Sequence, residues 1–400
     1  MSRPWRILML VFNPVGKGTY WRAFHLARHL VQRGHQVTLV AMAQQRSFRF
    51  VTRFEHGVTI VESPDLLQGS LRSGWDIWEG LLRSLWLQIG NFDLVHAFEC
   101  RPTVLLPALY LQTCRNLPLV IDWCDWFGRG GSVEERTNAL VRTVLRPVET
   151  FFEERFRISA NGTTVICTTL YDKAVALGVP ENTILSLRDG ADVEGLHPLE
   201  RDVCRATLGL PQEAPIVGYV GAIFYRDARL MAEAFDRIRA ALPSARLLLI
   251  GYVNMPIETL VSAPAAIIRS GTLDYITLNH YLAACDLCWL PLRNSGANRG
   301  RWPLKLNDYM AAGRPTVATA VGDVTNVLQT YDIGVLAQDT PCDLANKTLG
   351  LLNDPERRKQ QGQTARAVAE TVFDWRIRAA ALEDFYESVI ARHAQKSGRV

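Results

Sequence analysis

No apolar run in the 400-residue sequence approaches the roughly 18 residues a membrane-spanning helix needs; the longest are Ile7–Phe12, Val104–Leu111 and Leu247–Ile250. That excludes a helical bilayer span. Charge of one sign is scarce as well, because 44 Lys+Arg stand scattered among 40 Asp+Glu for a net +4, which argues against a nucleic-acid partner. The eight histidines show no metal-ligand spacing, and Cys285-Asp286-Leu287-Cys288 has neither a second cysteine pair nor a histidine at ligand distance. Those two cysteines read as buried thiols. All eight cysteines sit mostly in apolar stretches of a chain too long to need disulfide staples, so a reducing, cytoplasmic setting is expected. Arg3 and Arg6 before a short apolar run look superficially like a signal peptide, but Asn13-Pro14 follows, and the run reads better as a first strand.

What is present is a core-building composition, 48% hydrophobic and 21% charged, at a length that exceeds what one hydrophobic core organises. Two domains follow. Arg6–Phe12, the Gly16-Lys17-Gly18 loop, an apolar stripe from Tyr20 to Val31 closed by Gly34, and Gln36–Ala41 form a β-α-β opening. Further strands are expected at Val58–Val61, Asp93–Ala97, Leu117–Asp122 and Thr164–Thr168, making a parallel sheet covered on both faces. A polar, glycine-containing stretch at Asp189–Pro198 reads as a linker. A second series then places strands at Ile216–Val220, Arg246–Ile250, Asp286–Pro291, Thr316–Ala318 and Gly334–Leu336. Its helices are expected near Asp227–Ala241, Pro303–Ala312, Cys342–Leu352 and Pro355–Val372. The expected organisation is a first Rossmann-like domain over 1–192, a second over 193–374, and a helix over 375–400 that has no strand after it to cover and packs back toward the first domain.

In open parallel sheets ligands bind beyond the carboxyl ends of the strands. Gly16 and Gly18 follow the first strand and precede a helix start, where free amides can hold phosphate; a tight turn explains them equally well. His96 ends one strand and Asp122 and Asp125 end the next, where they could orient an acceptor hydroxyl, against the plain alternatives of a satisfied core histidine and a loop-capping aspartate. The richest segment is Arg301-Trp302-Pro303-Leu304-Lys305-Leu306-Asn307-Asp308-Tyr309-Met310-Ala311-Ala312-Gly313-Arg314-Pro315. Lys305 and Asp308 lie three apart near a helix start, a cation and a carboxylate on one face. The carboxylate can hold two ribose hydroxyls and the cation a phosphate; an exposed ion pair is the alternative.

This segment resembles the donor-site signature of family-4 glycosyltransferases with the GT-B fold, Pro-x-Lys-x-x-Glu-x-Met-Ala-x-Gly-x-Pro, with Asp308 at the Glu position. Leu26–Thr38 is similar to the family's opening helix and second strand, Asp189-Gly190-Ala191-Asp192 to its inter-domain motif, and Phe373-Asp374-Trp375 to the approach to its final helix. The resemblance implies two Rossmann-like domains facing each other across a cleft, the first for acceptor and the second for a nucleotide-diphosphate sugar, with retention of anomeric configuration. It implies a glycan or lipid-linked acceptor and no cofactor. Asp-x-Asp, the pattern of metal-dependent sugar transferases, is absent from the sequence, so no metal is expected. Arg226, with Arg229 in looser register, matches the diphosphate-binding basic residues, and Asn298, Arg299 and Arg301 are candidates for sugar or diphosphate. Gly300 stands where retaining members carry a second Glu. That departure keeps open a catalytically degenerate protein that only binds nucleotide or glycan. A dinucleotide-dependent oxidoreductase is a poor rival, since Gly-x-Gly-x-x-Gly is missing from the first turn and no acid ends the second strand.

Trp75, Trp78, Leu81, Leu82, Leu85, Trp86 and Ile89 recur at helical intervals with Arg72 and Arg83 nearby. Two readings are open: the stripe packs on the sheet, or it lies on the anionic inner surface of a membrane as a peripheral contact.

Overall fold

The computed structural model describes residues 4–67, 69 and 72–398. It separates into two compact units, the first running to Asp189 and resuming at Trp375, the second spanning Gly190–Asp374.

Unit 1 is built on β1 (Arg6–Pro14), β2 (Gln36–Met42), β3 (Val51–Glu55), β4 (Val58–Ser63), β5 (Leu94–Phe98), β6 (Leu119–Trp123), β7 (Gly162–Val165) and β8 (Ile184–Ser186), in the sheet order β3-β4-β2-β1-β5-β6-β7-β8. Every pairing is parallel except β3 with β4. The central strands are buried on both faces, which is why Ile7–Phe12 reads as an unbroken apolar run rather than an alternation. Helix α1 (Thr19–Gln32) covers one side and closes at Gly34, whose φ of +100° no β-carbon would tolerate cheaply. The antiparallel edge hairpin turns at His56-Gly57 with φ of +47° and +78°, matching a two-residue turn with left-handed centres. Helices α2 (Ile77–Trp86), α3 (Pro102–Arg115), α4 (Ala139–Arg155) and α5 (Thr168–Ala176) complete the crossovers.

Unit 2 contains α6 (Arg201–Leu208), β9 (Ile216–Val220), α7 (Tyr225–Ala241), β10 (Arg246–Ile250), β11 (Ile267–Arg269), α8 (Tyr275–Ala283), β12 (Leu287–Leu290), α9 (Gly296–Arg299), α10 (Leu304–Ala311), β13 (Thr316–Thr319), α11 (Asp323–Tyr331), β14 (Gly334–Ala337), α12 (Pro341–Leu352) and α13 (Pro355–Val368). Its sheet is wholly parallel, in the order β11-β10-β9-β12-β13-β14. The first strand of each unit is thus central and the order reverses beside it, the topological switch where open sheets bind ligands. Cys285 and Cys288 are fully buried against Gly218 of β9, where a β-carbon would fall 2.4 Å from the Cys285 sulfur.

The last helix, α14 (Trp375–Lys396), belongs to unit 1. Trp375 stacks on His25 of α1 at 5.1 Å, and Phe385 and Val389 fill the space over Gly162, where a β-carbon would stand 2.8 Å from each. The face that lacks a strand of its own is therefore buried against unit 1. Among the described residues no helix is long and apolar enough to cross a membrane.

The aromatic stripe of α2 packs on the sheet only in part: Trp86 stacks on Phe50 at 5.5 Å against the core of unit 1, and Trp75 and Leu82 are half-buried. Its inward side carries Glu79 and Arg83, both fully buried, while Ile77, Trp78, Leu81 and Leu85 are exposed. Arg83 is engaged by all three of its nitrogens: Nε donates to Ser63 Oγ, Nη1 to the carbonyls of Val11 and Thr103, and Nη2 to Glu79 at 2.6 Å. A hydrogen-bonded ion pair tolerates burial, so Glu79 and Arg83 share the inward side with Trp86 while Trp78, Leu81 and Leu85 face outward.

Candidate functional site

In unit 1 the carboxyl ends of the strands are closed by internal ion pairs. Arg22 of α1 clamps Asp122 of β6 with two bonds of 2.9 Å and reaches Asp189 at 2.8 Å, all three buried. Beyond β5, Glu99 adopts φ +75°, a left-handed conformation unusual for glutamate, and its Oε1 accepts the amides of Cys124 and Asp125 at 2.7 and 3.1 Å. Its Oε2 meets Arg157 at 3.2 Å. Glu153 of α4 accepts Trp123 Nε1 and the amides of Phe127 and Gly128. Burial raises both carboxyls to about 7, with Arg157 opposing the rise. The cavity beside them, walled by Trp75, Arg101, Phe127 and Phe152, has room for a single water, about 10 Å³.

These facts sort the expected residues of this unit. His96 is a core residue, not a catalytic group in contact with substrate: it is wholly buried, Nδ1 shares a 2.6 Å bond with the Tyr386 hydroxyl of α14, and Nε2 lies 3.3 Å from Thr164 Oγ1. Desolvation lowers its pKa to about 3, so it stays neutral. Asp125, by contrast, is half-exposed at the strand ends with its amide fixed by Glu99. Gly16 and Gly18 lie in the loop between β1 and α1 at φ +78° and +54°. Asn13 accepts the Thr19 amide at 3.0 Å and sits where a Gly18 β-carbon would clash, at 2.8 Å.

Unit 2 presents the opposite arrangement. The chain leaves β9, β10 and β11 through Gly221, Gly251 and Gly271, at φ of +76°, +74° and +72°, and a β-carbon on any of them would meet nothing within 4 Å. Backbone is therefore open to close approach at three adjacent strand ends. Facing β9, Tyr309 pins α10 by accepting the Val220 amide at 3.1 Å and donating to the Trp289 carbonyl at 3.2 Å. Lys305 on the same helix is half-buried, with Nζ donating to the Tyr219 hydroxyl at 2.5 Å and to the Ala222 carbonyl at 3.1 Å. Desolvation and then the charge of Arg301 push its pKa well below the usual lysine value. An arriving anion relieves both effects.

Asn298 and Arg301 meet at Asp227, which opens α7. Asp227 Oδ1 accepts the Arg293 amide at 2.7 Å and Asn298 Nδ2 at 3.0 Å, and Arg301 Nη2 stands 3.7 Å from Oδ2. Asn298 is buried, with both ends of its amide engaged inside the protein, because Arg301 Nη2 donates to its Oδ1. It positions Arg301 and is not itself presented to a ligand. The Arg301 guanidinium lies over Phe224 at 4.5 Å, and its buried Nε finds no partner. Arg226 is exposed on the first turn of α7 beside Asp227, and Asp308 is half-exposed on α10 one turn beyond Lys305. The structure thus gathers Arg301, Lys305 and Asp308 around the β9 end, with Arg226 on the adjoining turn, whereas Gly16, Gly18, His96 and Asp125 belong to unit 1. Sequence reasoning named neither Tyr219 nor Asp227 as a site residue, although both border the β9-Gly221-α7 turn from which Arg226 was chosen.

Two successive Rossmann-like units with strand-end sites define the GT-B fold, and solved structures agree. Sucrose-phosphate synthase from Thermosynechococcus elongatus superposes with TM-score 0.74 at 18% identity, covering 98% of this chain and 100% of the other. Anabaena HepE, solved in complex with UDP-glucose, gives 0.71 at 15% identity over 96% and 100%. The family described as glycosyl transferase 4-like domain matches residues 17–190, and that described as glycosyl transferases group 1 matches 214–354. The chain belongs to the group 1, family-4 glycosyltransferases. A curated relative, the GDP-mannose-dependent monoacylated alpha-(1-6)-phosphatidylinositol monomannoside mannosyltransferase of Corynebacterium glutamicum, is 25% identical over 52% of this chain and 56% of its own length. The chain spans about half the length of the curated relatives it matches.

Proposed function

We propose that the protein transfers a glycosyl group from a nucleotide-diphosphate sugar to an acceptor hydroxyl, with retention and without a metal ion. The observation that carries this reading is the half-buried Lys305, desolvated beside Arg301 at a strand end where Gly221 leaves the backbone open. Departure of a nucleoside diphosphate develops negative charge on its phosphates, and preorganised cations in a partly dry site stabilise that charge directly. Lys305 and Arg301 supply it, with Arg226 on the rim, and Asp308 accepts the ribose hydroxyls. Positive charge developing on the sugar is steadied by the leaving phosphate, and the acceptor attacks from that same face. Asp125, held by Glu99, orients the acceptor in unit 1. The acceptor is a glycan or a lipid-linked sugar at the inner membrane surface, a setting suggested by the outward apolar face of α2.

Titration of the purified protein with UDP, GDP and ADP, read by melting temperature, identifies the base, because a ligand that binds only the native state raises it. Asp308→Ala should weaken the best nucleotide by about 1–3 kcal/mol, the cost of stranding its hydroxyl partners. Unchanged affinity in the folded variant removes Asp308 from the site. Transfer that is lost to a chelator and returns only with Mg²⁺ or Mn²⁺ overturns the cation-clamp mechanism.

A second reading, nucleotide binding without transfer, is favoured by Gly300, which offers the donor sugar no side chain where a Glu would stand. Nucleotide binding without donor hydrolysis or transfer would select it.

A further inference from the structure

Helix α4 is folded inside out. Its only buried residues are Glu149 and Glu153, whereas Leu140, Val144, Val148 and Phe151 follow one another at spacings of four, four and three along its solvent side. Leu140 is 74% exposed, Val144 58% and Phe151 53%. A helix of a globular α/β unit ordinarily buries such a stripe. The inversion is not a loose fit, because the inward carboxylates are fixed: Glu149 takes Arg136 at 3.0 Å, and Glu153 takes the indole and two amides described above. The third acid of the helix, Glu154, is paired with Lys173. What α4 turns to solvent is apolar side chains with Arg142, Arg146 and Arg155 along their edges. Helix α2 repeats the inversion in part, turning Trp78, Leu81 and Leu85 outward while Trp86 meets the core, and Trp75, just before it, packs edge-on against Phe152 at 5.4 Å. Ile89, just past α2, is 89% exposed.

We infer that α4, together with α2, is a docking face that seats unit 1 on an anionic lipid surface, with Leu140, Val144 and Phe151 entering the acyl boundary and the arginines meeting the headgroups. This deepens the lipid-linked-acceptor reading and rests on it. The charge pattern selects the occupant. Arg146 is answered by Glu134 at 2.8 Å, but a two-fold contact with a second copy would set Arg142 and Arg155 against the same patch with no outward acid on α4 to answer them. An anionic bilayer supplies counter-charge to Arg142 and Arg155 and takes the apolar residues and Trp78 at the depth such side chains prefer.

The test is sedimentation of the full chain with vesicles of phosphatidylcholine alone or mixed with phosphatidylglycerol. Binding to the mixed vesicles, weakened by salt and absent on phosphatidylcholine alone, is the expected result. The combined variant Leu140→Ser, Val144→Ser and Phe151→Ser should bind them about 100-fold less tightly, from the apolar area withdrawn. Leu140 and Val144 are largely exposed and Phe151 meets only the edges of Phe152 and Phe156, so the melting temperature should change little and nucleotide binding should be unchanged. Phe151→Trp, which retains the apolar character, should bind and give added fluorescence quenching by brominated lipid. Loss of binding on Trp78→Ser with Leu85→Ser, but none on the α4 changes, overturns the α4 assignment while leaving the membrane reading standing. A wild-type chain that ignores anionic vesicles overturns both, and a dimer abolished by the α4 changes replaces the lipid with a second copy.

Discussion

The carboxyl ends of the two sheets make opposite use of charge. In unit 1, Arg22, Asp122 and Asp189 neutralise one another, and Arg157 meets Glu99. In unit 2, Lys305 bonds only uncharged oxygens of Tyr219 and Ala222, and Arg301 keeps a buried N–H without a partner. The same topology therefore yields a rigid, self-satisfied floor in one unit and a cationic, unfinished one in the other. Charges completed internally hold a fold together, and charges left incomplete are available to a ligand.

The sharpest way to break this contrast is to exchange the roles. Arg22→Met should cost about 3–5 kcal/mol of stability, since it leaves Asp122 and Asp189 buried without their cation; chemical denaturation measures it. Lys305→Met should cost about 1.5–3 kcal/mol of nucleoside-diphosphate affinity, the worth of a hydrogen bond to a charged group, and leave the melting temperature nearly unchanged. A Lys305 variant as unstable as the Arg22 variant would show that both floors are structural.

A smaller effect probes the neutral side of unit 1. The folded pKa of His96 is about 3, below its unfolded value near 6.5, so between those pH values the unfolded chain takes up a proton that the native state refuses. Stability from this group is full above pH 6.5 and is lost as pH falls, by at most about 1.4 kcal/mol per unit. His96→Gln should flatten that acid slope, as read from melting temperatures between pH 6.5 and 4.

Much of the frame was legible because buried parallel strands are apolar runs between glycines: β9 and β10 fall on the expected residues Ile216–Val220 and Arg246–Ile250. The edge strands β3, β8 and β11 were not. They are short or polar, and their pairing is fixed by neighbours and not by their own pattern. The Lys305-Asp308 pair was visible in its wording, but Tyr219 was not, since a strand residue's partner lies 86 positions away. His96 misled for a related reason: strand position indicates an end, while only the return of α14 reveals that the end is covered. Periodicity likewise announced the α2 stripe without saying which side meets the core, because Glu79 and Arg83 compete for burial as a bonded pair.

The return of α14 also sets a schedule. Unit 1 is interrupted by all of unit 2, so the ribosome makes Asp189 and then 185 further residues, Gly190 to Asp374, before Trp375 emerges. At about 5–20 residues per second that is a wait of roughly 10–40 s. Throughout it His25 lacks its stacking partner, His96 lacks the Tyr386 hydroxyl, and Gly162 faces water in place of Phe385 and Val389. Unit 2, contiguous in sequence, has no such delay. The nascent protein therefore finishes its second half before its first, and a stop codon in place of Trp375 leaves unit 1 permanently at the stage where holding chaperones and proteases compete for it.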